Sequence, residues 1–343
     1  MKKSTLAVMA GATVALSTMV ACACLKSDPV YPGVDLEPKG NPIFTDAWTC
    51  DPAPLLVGNT VYVYTGSDDA RPGENDPSLP GGYKIVNWRV YSSTDLVHWR
   101  SYGTKLASDS FKGGLKNTSW ASQCVEKDGK FYWYATYRDD INGGQSIGVA
   151  VADTPIGPFK PLDNPVVKDS MTKGRGWNDI DPTVLIDDDG TAWLAWGNGN
   201  SYLAKLKPNM VELDGEPIDL HLQSYVEGPW LYKRNGLYYN IYAGFGGGGG
   251  ECINYSTAEK ITGPWTFRGR VCASAKNSFT THPGVLDFKG RTFLFYHNGT
   301  LDRDGRRGGS LNRSVCMDEL FFNEDGTIKE VVQTTTSLTK PVK

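Results

Sequence analysis

The chain of 343 residues is 40% hydrophobic and 21% charged, with 35 basic and 38 acidic side chains and a formal net charge of −3. This composition is that of a folded protein with a core, and it excludes a collagen-like chain and a nucleic-acid binder with a basic surface. The 39 Gly, 20 Pro, 10 Trp, 17 Tyr and 12 Phe favour many turns between aromatic-rich strands, as in an all-β protein.

The N-terminus has the pattern of an export signal. Lys2 and Lys3 precede an uncharged apolar run over residues 6–20, which is short for a membrane-spanning helix. The run ends in Met19-Val20-Ala21-Cys22, which resembles a bacterial lipobox. We therefore expect residues 1–21 to be a lipoprotein-type signal peptide. Cleavage would leave an acylated Cys22 that holds the protein in membrane lipid at the cell envelope, periplasmic or at the cell surface; plain secretion is the alternative.

The segment after the signal is rich in proline. Residues 22–45 contain Pro29, Pro32, Pro38 and Pro42, and a Pro-rich segment of this kind is typical of an extended tether. We expect the folded domain to span residues 46–335, followed by a C-terminal tail over residues 336–343.

Five cysteines lie beyond this segment, and none of them has the Cys-x-x-Cys or Cys/His spacing of a zinc site. Export permits disulfides, and Cys252–Cys272 is the most plausible local pair. The default expectation for the others is that of buried apolar residues.

Five segments of the chain share one order: a short apolar strand, a turn with Gly or Asn, and a denser aromatic strand. They begin at Asp51, Trp120, Asp181, Glu227 and His282. Turns such as Asp128-Gly129 and Asn235-Gly236 are strong hairpin signals. Units of about this length that repeat radially predict a five-bladed β-propeller with four-stranded antiparallel blades. A β-sandwich is the alternative, and five copies of one order fit it poorly.

The residues that begin the five units have an unusual chemistry for innermost strands. In a propeller these starts gather at one axial mouth, although up to 231 positions separate them. Burial of unpaired carboxylates is costly, and clustered carboxylates drive their pKa values apart, so that one stays protonated while another ionises. Cleavage of a glycosidic bond requires such a pair. Each Asp-Pro or His-Pro taken singly is more often a turn at a strand start.

At these residues the chain resembles glycoside hydrolase family 43, from about Ile43 to Ile328. The matching stretches are Thr49-Cys50-Asp51-Pro52-Ala53-Pro54, Trp120-Ala121-Ser122-Gln123, Asp179-Ile180-Asp181-Pro182-Thr183, Tyr225-Val226-Glu227-Gly228-Pro229-Trp230, Thr281-His282-Pro283-Gly284 and Arg313-Ser314-Val315-Cys316. The resemblance implies that Asp51 is the general base, Glu227 the general acid, and Asp181 the residue that orients Glu227 and raises its pKa. It also implies inversion, for which the two working carboxyls should lie about 6.5–9.5 Å apart.

The resemblance also suggests residues for the substrate and for a metal. His282 matches an axial histidine that in many relatives lies beside a cation, often calcium and usually through water, whereas calcium itself prefers oxygen ligands. Arg313 matches an arginine that holds sugar hydroxyls or orients a carboxylate; the alternative is a surface strand residue. Trp120 would stack on a pentose, or else plug the mouth from below, and Trp177 is a second candidate at the rim.

Three functions are compatible with the sequence. The first is an exo-acting arabinofuranosidase or xylosidase that removes terminal pentoses from plant cell-wall polysaccharide. The second is an endo-arabinanase or a galactan-side exo-enzyme on the same fold, and the third is a non-catalytic glycan-binding propeller. The presence of all three carboxylates disfavours the third. We expect a monomer that binds no nucleic acid and whose only cofactor is the calcium ion.

Overall fold

Antiparallel strand pairing accounts for almost all regular structure in the computed structural model, which describes residues 32–70, 82–172, 177–246 and 249–343. In these ranges the helices are two short 3₁₀ turns, Ser108–Ser110 and Asp169–Met171. None of the described helices is long and apolar enough to cross a membrane. Residues Gly33–Lys343 form one compact unit. The predicted signal peptide and Cys22 lie outside the described residues.

The strands group into five consecutive sheets. The first sheet contains β1 (Val34–Leu36), β2 (Thr49–Val57), β3 (Thr60–Ser67), β4 (Trp88–Ser93) and β5 (Trp99–Leu106). The second contains β6 (Ser122–Lys127), β7 (Lys130–Asp139), β8 (Gly144–Ala152), β9 (Lys160–Pro161) and β10 (Val167–Lys168). The third contains β11 (Thr183–Ile186), β12 (Ala192–Trp196), β13 (Tyr202–Lys205) and β14 (Ile218–Asp219). The fourth contains β15 (Glu227–Arg234), β16 (Leu237–Phe245), β17 (Glu251–Ala258) and β18 (Thr266–Cys272). The fifth contains β19 (Gly284–Phe288), β20 (Arg291–Asn298) and β21 (Ser314–Leu320).

These sheets are the predicted blades, and the five-bladed propeller is confirmed. The strand orders are β1-β5-β4-β3-β2, β10-β8-β7-β6 with β9 also on β8, β11-β12-β13-β14, β15-β16-β17-β18 and β19-β20-β21. Among the described residues, blades three and four have four strands each, whereas blades one and two have five and blade five has three. The additional strands of blades one and two are only two or three residues long, which is too short to leave a periodic pattern.

The innermost strands form a closed ring around the axis. Each of β2, β6, β11, β15 and β19 contacts the next, and β19 contacts β2 again. Neighbouring strands within a blade run antiparallel, so the start of each innermost strand lies at the same end as the finish of the second strand. This end is the mouth where the site is built.

The hairpin turns have the conformation that their dipeptides predict. Both central residues have positive φ at Asp128-Gly129 (53° and 73°), Asn235-Gly236 (49° and 77°) and Lys289-Gly290 (47° and 77°). Such turns match the twist of the strands they join. They connect the first two strands of blades two, four and five.

Residues 34–45, which belong to the predicted tether over residues 22–45, pack on the propeller and do not extend away from it, whereas residues 22–31 lie outside the described residues. β1 pairs with β5, Phe44 is fully buried, and the Ile43 N–H donates to the Val315 carbonyl on β21 at 2.8 Å. The segment around Ile43 thus lies along the outer edge of the three-stranded fifth blade. The predicted tail also packs on the domain, since Val342 is buried and its N–H donates to the Asp95 carbonyl at 3.0 Å.

The core lies between neighbouring blades. Val61 and Val63 of blade one pack with Phe293 and Phe295 of blade five, and Tyr134 of blade two packs in another cluster with residues of blade three. Each fully buried large apolar side chain stabilises the fold by roughly 1.5–3 kcal/mol. Most of the aromatic surplus therefore serves the packing of blades.

The proposed disulfide between Cys252 and Cys272 is wrong. All five cysteines in the described residues are free and buried. Cys272 lies opposite Ile253, so Cys252 is offset by one residue. Because side chains alternate between the faces of a strand, this offset directs the two thiols to opposite faces of the sheet.

Candidate active site

The predicted site residues meet at the mouth of the propeller. A cavity of about 340 Å³ is lined by all seven of them, namely Asp51, Trp120, Trp177, Asp181, Glu227, His282 and Arg313. The repeat in the sequence is the reason, because equivalent positions in successive blades occupy equivalent places around the axis.

The backbone at the inner strand starts is irregular where the carboxylates lie. Asp51 and Asp181 have φ of 51° and 62°, and Gly228, next to Glu227, has φ of 60°. The pairing of β2 shifts register between Cys50 and Ala53, and β15 shifts in the same way after Glu227. A left-handed conformation in a non-glycine residue costs on the order of 1 kcal/mol, and such strain is concentrated at functional sites. The carboxylates at these two register shifts, Asp51 and Glu227, both line the cavity.

Asp51 is held as an anion. Its Oδ1 lies 3.3 Å from Arg313 Nη1 and 3.3 Å from His297 Nδ1. Burial alone would raise the pKa of Asp51, but the positive charge of Arg313 is the largest opposing effect, and that pKa lies well below the usual range. Asp51 is therefore ionised at neutral pH and available to accept a proton.

His297 supports Asp51 from the axis. Its Nε2 faces the Thr280 carbonyl at 3.0 Å, so this nitrogen carries the proton. Nδ1 then accepts the backbone N–H of Asp51 at 3.1 Å. Burial lowers the pKa of His297, which keeps the ring neutral.

Arg313 acts on a carboxylate of the protein. Its Nε and Nη2 donate to both carboxylate oxygens of Asp68, at 2.8 and 3.0 Å, and the guanidinium lies over the Tyr83 ring at 5.0 Å. Because this fork fixes the group, Nη1 remains directed at Asp51 and at the Thr280 hydroxyl, both at 3.3 Å. Of the two roles expected for Arg313, the contacts match that of orienting a carboxylate.

Glu227 has the opposite protonation tendency. Burial and the negative charge of Asp51 raise its pKa to about 7, against the opposing effects of Arg313 and of the Asn198 amide, which donates to Glu227 Oε2 at 2.7 Å. A substantial fraction of Glu227 therefore carries a proton at neutral pH. The negative charge that raises the pKa of Glu227 is therefore that of Asp51, whereas the resemblance implied that Asp181 has this effect.

Asp181 anchors the strand start that holds Glu227. Its Oδ2 accepts the N–H of Gly228 at 2.9 Å, and its own N–H donates to the Thr136 hydroxyl at 3.0 Å. Burial, followed by the charge of Glu227, raises the pKa of Asp181 well above its usual range. Asp181 thus fixes the backbone next to Glu227.

The two tryptophans form one wall. Their ring centroids are 5.0 Å apart with planes tilted by 58°. Trp120 is 6% exposed, and its Nε1 donates to the Tyr83 carbonyl at 3.3 Å, whereas Trp177 is partly exposed. Trp177 therefore has more surface free for a sugar than Trp120, which largely supports it.

His282 lies beside the carboxylate of Asp51. Its Nδ1 is 4.0 Å from Asp51 Oδ1, and burial lowers its pKa to about 4, which keeps the imidazole neutral. Across the described ranges, no group of three or more His, Cys, Asp or Glu side chains could hold a metal ion. Calcium takes about six to eight oxygen ligands. These residues therefore do not fit a directly coordinated calcium ion.

Several pocket residues were not foreseen from the sequence. Six of them line the cavity, namely Tyr83, Asn198, Phe245, Glu251, Phe279 and Thr280. Two more, Asp68 and His297, bond to Arg313 and Asp51. Asp68, Asn198, Phe245 and His297 lie at or just beyond the ends of second strands. The same repeat that aligned the first strands would have located these four positions. Glu251 is 2% exposed, and burial together with the charge of Glu227 raises its pKa.

An ionised carboxyl and a protonated carboxyl in one pocket are the pair of groups that cleavage of a glycosidic bond requires. The family model for Glycosyl hydrolases family 43 matches residues 39–328, and the chain belongs to this family. The resemblance seen in the sequence is confirmed.

Three similar proteins have names that agree with this family. An arabinoxylan arabinofuranohydrolase from Paenibacillus polymyxa is 31% identical over 85% of this chain and 51% of its own length, so the chain spans about half of that relative. An α-L-arabinofuranosidase structure from Clostridium thermocellum has 30% identity and a TM-score of 0.68, covering 87% of this chain and 98% of the other. A β-xylosidase/α-arabinofuranosidase from a compost metagenome, in complex with xylotriose and in a calcium-free form, has 25% identity and a TM-score of 0.75, covering 87% and 99%.

Proposed function

We propose that the chain is an exo-acting glycoside hydrolase that removes terminal α-L-arabinofuranosyl or β-D-xylosyl units from hemicellulose such as arabinoxylan. The main support for this proposal is that one pocket contains both Asp51, whose pKa is lowered so that it is ionised, and Glu227, whose pKa is raised to about 7 so that it retains a proton. The relatives named above supply the pentose class. A cavity of about 340 Å³ is at the small end for ligand pockets, and this size supports a site that receives the end of a sugar chain.

The proposed mechanism is a single displacement. Asp51, as the anion, removes a proton from water, and this water attacks the anomeric carbon. Glu227 gives its proton to the departing oxygen, and the configuration inverts. Arg313 and His297 orient Asp51, and Asp181 holds the backbone beside Glu227.

The first test is release of 4-nitrophenol from the α-L-arabinofuranoside and the β-D-xylopyranoside. Wild-type protein should turn over at least one, and Asp51→Ala and Glu227→Gln should lose most of this activity. Internal cutting of linear arabinan without pentoside hydrolysis would show an endo-enzyme instead. NMR of the first-formed sugar should show inverted configuration, and retention would contradict the single displacement.

We also propose that a calcium ion is held near His282 through water and not by direct coordination. Its support is the family resemblance, together with the relative described as a calcium-free form. Isothermal titration of chelator-treated protein with Ca²⁺ tests it. Binding that His282→Ala abolishes would support the ion, and the absence of binding heat would contradict it.

Export as a lipoprotein is proposed from the sequence alone. The support is the basic start, the apolar run and the lipobox-like Met19-Val20-Ala21-Cys22. Mass spectrometry of the mature N-terminus should find an acylated Cys22 and no residues 1–21. An unmodified Cys22 would contradict the anchor.

A further inference from the structure

Two phenylalanines stand exposed on the wall of the pocket and have no part in the proposed mechanism. Phe245 is 55% exposed and Phe279 is 50% exposed, and both line the cavity that contains Glu227. Their ring centroids are 6.2 Å apart with planes tilted by 57°. Paired apolar rings that are open to water at the edge of a polar pocket indicate a surface for a ligand.

The strand register places this aromatic pair on the side of the general acid. Glu227 on β15 pairs with Ala243 on β16, and Phe245 follows two residues later on β16. Side chains two residues apart project from the same face of a strand, so Glu227 and Phe245 share one face of the blade. Since Glu227 protonates the departing oxygen, this face meets the part of the substrate that leaves.

A buried carboxyl lies beside the two rings. Glu251 on β17 pairs with Phe245, and its backbone N–H donates to the Phe279 carbonyl at 2.8 Å. Its Oε2 accepts the Thr281 N–H at 3.1 Å. Among the residues that the structure describes, none bonds its Oε1, and Glu251 lines the cavity. Oε1 is therefore available to a hydroxyl group of a ligand.

We propose that Phe245, Phe279 and Glu251 form the leaving-group subsite, where the sugar ring of the departing chain packs on the phenylalanines and bonds to Glu251. The proposal rests on the proposed function, because it takes Glu227 as the acid. Sugars present apolar C–H faces and hydroxyl edges, which match two open rings and one free carboxyl oxygen. The subsite thus selects the polymer that carries the terminal pentose.

The test compares substrates with and without a leaving sugar. Phe245→Ala and Phe279→Ala should each lower kcat/KM on a pentose-bearing xylo-oligosaccharide about tenfold, the loss of one aromatic contact. Both should stay within twofold of wild type on the matching pentosyl fluoride, which has no leaving sugar. Phe321→Ala is the matched control, because Phe321 is 53% exposed and follows the end of β21 away from the mouth. Equal losses on both substrates, or no loss on the oligosaccharide, would overturn the subsite.

A binding series separates failure of this proposal from failure of the proposed function. If wild type hydrolyses no pentoside, the function fails, and the subsite is then tested by calorimetry of xylotriose and arabino-oligosaccharides on the Glu227→Gln protein. Adding Phe279→Ala should weaken binding about tenfold. Adding Glu251→Leu should also weaken it, whereas Glu251→Gln retains a polar group of the same shape and should preserve it. Unchanged affinity in the Phe279→Ala and Glu251→Leu proteins, or no binding of any oligosaccharide, would overturn the proposal.

Discussion

Arg313 Nη1 lies 3.3 Å from Asp51 Oδ1, although 262 positions separate the two residues in the chain. The contact joins the first blade to the last and depends on Asp68, which holds the other donors of the guanidinium. Closure of the ring and orientation of the proposed base are therefore one structural feature.

Asp68→Asn should damage both stability and activity. The asparagine removes the carboxylate that holds two of the three donor groups of the buried Arg313 and leaves Asp51 as its remaining anionic partner. Breaking a buried ion pair costs about 3–5 kcal/mol. The freed guanidinium can also move away from Asp51, so kcat should fall by about 100-fold, the scale expected of a misplaced catalytic group. Chemical denaturation and initial rates measure the two effects. Asp69→Asn is the control, because Asp69 pairs with Arg303 outside the pocket. A variant with wild-type kcat would contradict the positioning role of Asp68.

Activity should decline as the pH rises through about 7. Glu227 works as an acid only when protonated, and its raised pKa of about 7 places the loss there. Asp51 must be ionised, and its lowered pKa places the opposite loss at strongly acidic pH. The pH profile of kcat/KM measures both limbs. If the residual activity of Glu227→Gln still declined as the pH rises through about 7, the basic limb would belong to another group.

Asn198→Ala should shift this basic limb to higher pH. The Asn198 amide donates to Glu227 Oε2 and stabilises the ionised form, so its removal raises the pKa of Glu227 further. Asn200→Ala serves as the control, since Asn200 donates to the Tyr202 hydroxyl. A shift toward lower pH would contradict this account of the hydrogen bond.

Gly228→Ala should abolish most activity. Gly228 has φ of 60°, and an added Cβ would lie 2.9 Å from Nδ1 of His282, so both the backbone beside Glu227 and the imidazole must move. Gly236→Ala is a matched control, because Gly236 also has positive φ, 77°, but an added Cβ meets nothing within 4 Å. The control should lose only about 1 kcal/mol of stability and keep its kcat. Equal kcat losses in the two variants would point to the backbone conformation alone.

Reducing agent should leave the melting temperature unchanged. The described cysteines are all free, whereas reduction of a native disulfide would cost about 2–5 kcal/mol. Calorimetric scans with and without a reductant measure this directly. A fall of several degrees would reveal a disulfide.

The sequence by itself determined the five-bladed frame, because hairpin turns such as Asn235-Gly236 are local signals and recur in one order. It also determined that Asp51, Asp181 and Glu227 converge, since equivalent positions of a radial repeat lie around one axis. Only the tertiary structure decided the rest. The sequence around Phe44 predicts a proline-rich tether, but the unpaired edge of β21 binds this segment. The spacing of Cys252 and Cys272 favours a disulfide, but the strand register places the two thiols on opposite faces of the sheet.

The finer features of the site also depended on the tertiary structure. Nothing near Glu251 in the chain indicates a functional group, because its partners come from the connection between blades four and five. Exposure likewise distinguishes Trp177 from Trp120 only after the blades have packed. Local patterns report turns and strands, whereas protonation and access depend on charges and side chains that are brought together by closure of the ring.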